Sequence, residues 1–123
     1  APAQPLVAQV TTYPYGISSP DPVELLRANG FELRLSPHGR KHTAEETGAL
    51  LGDVDVLIAS TEPLNASNLA RGLPRLKHIA KVGVGLDGLD IAWCRSQGIS
   101  MSYTPAAPAR SVVEQVFGQL ICL

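Results

Sequence analysis

The chain is poor in cysteine: only Cys94 and Cys122 occur in 123 residues. They stand far apart in apolar surroundings, with neither metal-ligand spacing nor a disulfide framework. A reducing, cytoplasmic compartment is therefore the expected location. Excess charge is also lacking. The formal net charge is −1 and no block of like charges occurs, which argues against nucleic-acid and membrane-surface partners. No apolar run is long enough to span a bilayer, and no basic-then-apolar leader opens the chain. Internal repeats and low-complexity tracts are missing. The opening APAQP carries no methionine, so the chain is expected to be processed or part of a longer protein. Its length suits one domain with one core.

What is present is an alternation of short β-type runs and short helical patterns. Leu6–Thr11, Phe31–Leu35, Val54–Ser60, Lys77–Val82 and Ile99–Tyr103 read as strands. Asp21–Asn29 reads as a helix, with Pro22 in its first turn and Gly30 as its stop. Thr43 and Glu46 form a T-x-x-E capping box for a helix running to Leu51. Asn65–Arg71, Ile91–Gln97 and Arg110–Leu123 complete the helical set, with Gly72 and Gly98 ending the first two. This order predicts an α/β fold: a flavodoxin-like doubly wound sheet of five parallel strands with helices on both faces. Ligands in such sheets bind beyond the carboxyl ends of strands. Those ends carry TYPYG from Thr12, SPHGRKH from Ser36, STEP from Ser60, VGVG from Val82 and YTP from Tyr103.

Gly83, Gly85 and Gly88 spell G-x-G-x-x-G after an apolar run, the pattern of dinucleotide-binding turns. Such a fingerprint also demands a helix starting on the motif and an acidic residue about 20 positions on. Asp87, Gly88 and Asp90 crowd the helix start, and Ile99 to Ser111 contains no Asp or Glu. As an NAD fingerprint the motif is weak. The glycines allow two other readings: a plain tight turn, or a small anion nest of successive N–H groups of carboxylate size.

The stretch Leu76–Asp90, LKHIAKVGVGLDGLD, resembles the D-isomer-specific 2-hydroxyacid dehydrogenases, the group that includes D-3-phosphoglycerate dehydrogenase. The resemblance continues through Gly98-Ile99, Thr104-Pro105 and Arg110-Ser111-Val112-Val113-Glu114. It reaches back through Thr11-Thr12-Tyr13-Pro14 and Ser60-Thr61-Glu62-Pro63-Leu64, and so covers nearly the whole chain. It implies that residues 1–107 are a substrate-binding domain segment. Val82, Gly83, Val84 and Gly85 would hold the substrate carboxylate, and Ser60 and Thr61 would flank the same cleft. Lys81 matches a site often basic in phosphoglycerate dehydrogenases. It further implies hydride transfer between substrate C2 and NAD or NADP. The cofactor and the catalytic arginine, glutamate and histidine would come from a dinucleotide-binding domain absent from this chain. No cofactor site, metal site or catalytic residue is thus expected within it. Residues 108–123 would form a helix that crosses between domains and packs in a homodimer interface. Pro108 stands where many members carry Asn.

Other residues were weighed singly. Arg40, Lys41 and His42 follow the second strand: an exposed basic loop, or, at the rim beside an anion nest, contacts for a phosphorylated or second acidic group. The substrate expected is a small 2-hydroxy or 2-oxo acid, phosphorylated or not. His38, His42 and His78 show no convergent metal set and no Ser-His-Asp or Cys-His arrangement, and are expected to be packed or solvated. Tyr13 and Tyr15 either cover a ligand or pack their own loop. A receiver domain would need carboxylates near the end of the first strand, and VAQVTT has none. A stand-alone flavodoxin-like binding or regulatory module is the alternative reading. The last helix is apolar nearly all round, which predicts burial on more than one side.

Overall fold

The computed structural model describes residues 4–123. Five strands, β1 (Val7–Val10), β2 (Glu32–Arg34), β3 (Val56–Ala59), β4 (His78–Lys81) and β5 (Ser100–Tyr103), alternate with helices α1 (Asp21–Ala28), α2 (Ala44–Ala49), α3 (Ala66–Leu69), α4 (Ile91–Ser96) and α5 (Ala109–Ile121). A short 3-10 turn, Ala70–Gly72, extends α3. All strand pairs are parallel and the order is β2-β1-β3-β4-β5, the flavodoxin-like arrangement expected. Ala8, Val56, His78 and Ser100 share one row of the sheet, and Gln9, Leu57, Ile79 and Met101 the next.

The core forms where Leu57, Ala59 and Ile79 of the sheet meet Leu51, Val54, Leu64, Leu69, Leu76, Cys94 and Ile99. Each fully buried Leu or Ile contributes roughly 1.5–3 kcal/mol relative to exposure. Right-handed crossovers put α1 on one face, because the chain leaves β1 in one direction and returns past it in the other. At the opposite end from the ligand edge, the Asp55 carboxylate accepts from the Val7 amide at 2.8 Å and from Arg75 Nε and Nη2 at 3.1 and 3.0 Å.

Local signals explain the boundaries. Glu46 N–H donates to Thr43 Oγ1 at 3.3 Å, and Thr43 N–H donates to Glu46 Oε2 at 2.8 Å, closing the expected capping box. A second box, between Asn65 and Asn68, starts α3. Gly30 and Gly98 end their helices with φ of +83° and +72°, a conformation that other residues adopt only under strain.

Helix α5 stands apart from the core. Every residue from 109 to 123 is exposed, including Phe117 and Ile121 at 62% and 84%. Five residues, 104–108, carry the chain from β5 to this helix, and no side of it packs on the sheet or on the other helices. No described helix is long and apolar enough to cross a membrane.

Candidate functional site

In this strand order the connections leaving β1 and β3 diverge to opposite faces, which opens a crevice beyond their carboxyl ends. Thr11 follows β1 there and Glu62 follows β3. The Thr11 hydroxyl donates to Glu62 Oε1, and the Ser60 amide donates to Glu62 Oε2 at 3.0 Å. Glu62 is only 2% exposed. A buried carboxylate needs such donors, since desolvation disfavours an unpaired charge. It turns the STEP segment back over the sheet end.

Lys81, the last residue of β4, is also buried, at 5% exposure, and its Nζ donates to the Ser60 carbonyl. The Ser60 hydroxyl donates to the Val82 carbonyl at 3.3 Å. The ends of β3 and β4 are thereby tied together beneath the glycine loop.

Two amides of that loop are already engaged. Val82 N–H donates to the Ala59 carbonyl at 2.7 Å as a continuation of the ladder, and Gly83 N–H donates to Thr104 Oγ1 at 2.8 Å. Neither the Val84 nor the Gly85 amide donates to a described residue. A hollow of about 210 Å³ at this loop is lined by Thr61, Lys81, Gly85, Asp87 and Gly88. A smaller one, about 60 Å³, adjoins it through Thr61 and includes Ser60, Lys41 and Thr12. The structure therefore gathers Lys41, Ser60, Thr61, Lys81 and Gly85 along one edge. The side chains of Val82 and Val84 on the same loop are exposed.

Arg40 is not part of this group. Its guanidinium forks onto Glu46 at 2.9 and 2.6 Å and also donates to the Lys41 carbonyl. The expected anion contact is corrected accordingly: Glu46, the capping-box acid, already takes this cation.

The strained glycine of the loop is Gly83. Gly83 has φ +126°, while Gly85 has no positive φ and open space where a Cβ would point. Gly83→Val should therefore lower stability by about 1–3 kcal/mol, whereas Gly85→Ala should be near neutral. Chemical denaturation of the two variants checks this. Equal losses, or a larger loss at Gly85, would contradict it.

Gly88 has a third role. A Cβ there would lie 3.3 Å from the Glu62 carbonyl oxygen. Leu64 N–H donates to the Gly88 carbonyl at 2.7 Å and Asp90 N–H to the Leu64 carbonyl at 2.8 Å. The Asp90 carboxylate accepts from Trp93 N–H at 3.0 Å and so occupies the amino end of α4. A pyrophosphate would meet a carboxylate where a dinucleotide turn presents free N–H groups. These residues do not fit a dinucleotide's phosphates.

His42, read in the sequence as part of a basic loop, is 2% exposed. Ser36 Oγ donates to the His38 carbonyl at 2.8 Å, so at 2.7 Å it accepts from His42 Nε2–H. Nδ1 is buried without a partner. Burial, with the charges of His38 and Arg40, holds the imidazole below the usual histidine range, against Glu62 and Glu46. A depressed histidine leaves the unfolded state to bind the proton first. This contribution to stability is intact above about pH 6.5 and is lost as the pH falls below it. Thermal melts from pH 7.5 to 5 should show this loss, and His42→Gln should reduce its slope. An unchanged slope in His42→Gln would contradict the assignment.

His78 lies away from the site, on the row of Ala8, Val56 and Ser100, with Nδ1 2.7 Å from Ser100 Oγ and Nε2 2.9 Å from Ser102 Oγ. No acidic side chain is bonded to it among the described residues. Nor is there a group of three or more metal-ligating side chains among them. Tyr13 and Tyr15 line a third hollow, of about 230 Å³, between the loops after β1 and β2. Thr11 and Glu62, which organise the crevice, were not among the candidate residues of the sequence reading. A threonine ending β1 and an acid just after β3, at the crevice of this strand order, were the available signal.

Residues 10–118 match the family described as D-isomer specific 2-hydroxyacid dehydrogenase, catalytic domain. An erythronate-4-phosphate dehydrogenase of Cellvibrio japonicus is 41% identical over 83 residues, covering 67% of this chain and 20% of its own length. A hydroxypyruvate reductase of Thermotoga maritima is 31% identical over 77 residues, 63% of this chain and 25% of its own. The chain thus spans a fifth to a quarter of the length of these curated relatives. The NAD+-bound 3-phosphoglycerate dehydrogenase of Entamoeba histolytica shares the fold, with a TM-score of 0.80 at 22% identity over 95% of this chain and 38% of that one. With a match reaching from the end of β1 into α5, the chain belongs to the D-isomer-specific 2-hydroxyacid dehydrogenase family, in its catalytic domain.

Proposed function

We propose that this chain is the substrate-binding portion of an NAD(P)-dependent D-2-hydroxyacid dehydrogenase, and that it holds the carboxylate of a small 2-hydroxy or 2-oxo acid, phosphorylated or not, on its glycine loop. The observation that carries this reading is the hollow lined by buried Lys81 together with Thr61, Gly85, Asp87 and Gly88, next to a loop whose Val84 and Gly85 amides donate to no described residue. Two N–H donors and an ammonium suit a carboxylate. Ser60 and Thr61 flank it, and Lys41 lies on the adjoining rim. The reaction proposed for the longer protein is reversible hydride transfer between substrate C2 and a nicotinamide. The cofactor and the acid–base groups would come from residues outside this chain, which alone should show no turnover. Residues 108–123 would cross to that part and pair with a second copy, in a cytoplasmic homodimer.

Titration of the isotope-labelled chain with pyruvate tests the reading. The Val84 and Gly85 amide signals should move and saturate in the millimolar range, which is about −4 kcal/mol. Lys81→Met should weaken binding at least tenfold. NAD alone should leave residues 83–88 unmoved. Pyruvate shifts confined to other regions, or saturable NAD shifts on this loop, would overturn the proposal.

A further inference from the structure

The largest of the three hollows on the carboxyl edge is not used by the carboxylate reading. It measures about 230 Å³ and lies between the loops after β1 and β2. Its walls are mainly apolar, with Tyr13, Tyr15, Ile17 and Leu35 prominent. Tyr13, Ile17 and Leu35 are 52%, 65% and 46% exposed. Single exposed hydrophobics need no explanation, but three around one opening form a patch. No lysine or arginine lines it. Its only basic side chain, His38, stands 3.7 Å from the Glu46 carboxylate, which Arg40 already holds. A phosphate placed there would find no free cation.

This hollow is joined to the carboxylate site by shared wall residues. It shares Thr12 and Tyr13 with the small hollow, and the small hollow shares Thr61 with the one at the glycine loop. From the β3–β4 gap to the β1–β2 gap is two strand spacings, about 10 Å. That is the reach of a 2-oxo acid with a phenyl-sized side chain.

Resting on the proposed carboxylate reading, we infer that this hollow receives the substrate's side chain, and that this chain selects 2-oxo or 2-hydroxy acids bearing an apolar side chain of aromatic size over phosphorylated ones. Tyr13 and Leu35 then determine specificity without touching the carboxylate.

The test titrates the chain with pyruvate, phenylpyruvate and phosphohydroxypyruvate, following amide signals. Phenylpyruvate should bind at least tenfold more tightly than pyruvate and move Tyr13, Ile17 and Leu35 as well as Val84 and Gly85. Leu35→Glu should bring phenylpyruvate down to the pyruvate level without changing pyruvate binding. Ile17→Glu, at a more exposed position, gives the same readout should Leu35→Glu fail to fold. If pyruvate moves the glycine loop but phenylpyruvate gains nothing, the side-chain assignment fails and the carboxylate reading stands. Tighter binding of phosphohydroxypyruvate than phenylpyruvate also overturns the assignment. If no acid moves Val84 and Gly85, the carboxylate reading itself fails, and this inference with it.

Discussion

Changing Val116 and Leu120 to aspartate should turn an associating chain into a monomer, or into insoluble protein. Val112, Val116 and Leu120 lie four residues apart and form one stripe of α5, flanked by Val113 and Phe117. All five are roughly half exposed or more. Burying three or four such side chains contributes roughly 5–10 kcal/mol. That is enough to offset much of the loss of freedom on association. Glu114, Gln115 and Gln119 are the only polar side chains of the helix after Ser111, so it has no broad face for water. A two-fold pair is the simplest closed arrangement that covers it. Sedimentation of both chains checks the expectation. An unaltered chain that stays monomeric at high concentration, with α5 ordered, would contradict it.

Thr11→Val should be the most damaging single methyl-for-hydroxyl exchange in the molecule. It leaves Glu62 in place, buried and without the hydroxyl that donates to Oε1. A hydrogen bond to a charged group is worth about 1.5–3 kcal/mol, and stranding a buried charge adds to that loss. A drop of about 2–4 kcal/mol is expected, with a melting point lower by on the order of 10 °C. Thr11→Ser should keep most of the stability. In Thr11→Val with Glu62→Leu, part of the loss should return, because both partners are then apolar. Additive losses in that cycle would show that the two side chains do not depend on one another.

Most of the fold was legible because its signals are local. Gly30 and Gly98 punctuate helices by their backbone conformation, Thr43 and Glu46 are three residues apart, and the central strands are continuous apolar runs. The site was legible in part. The segments after β1, β3 and β4 follow from strand order, and the family resemblance singled out Ser60, Thr61, Lys81 and Gly85 among them. Charges were harder to read. Thr11 and Glu62 are 51 residues apart, and nothing near Glu62 in sequence marks a buried carboxylate. Arg40 looked available because its partner Glu46 had already been assigned to the helix cap. His42 sat among charges in the sequence, yet its ring is buried against Ser36. Helix α5 was recognised by composition, but composition does not say which surface covers it.

The single rung between Leu64 and Leu89 ties two loops into one object. Residues 60–64 and 83–90 should then tolerate change only together. A side chain added at Gly88 is felt first by the Glu62 carbonyl, and a change of path after Ser60 is felt first by Gly88. Variation in one segment should be matched by variation in the other. Segments exchanged between relatives should be carried as this pair, because a glycine loop brought alone would land on a turn shaped for a different partner.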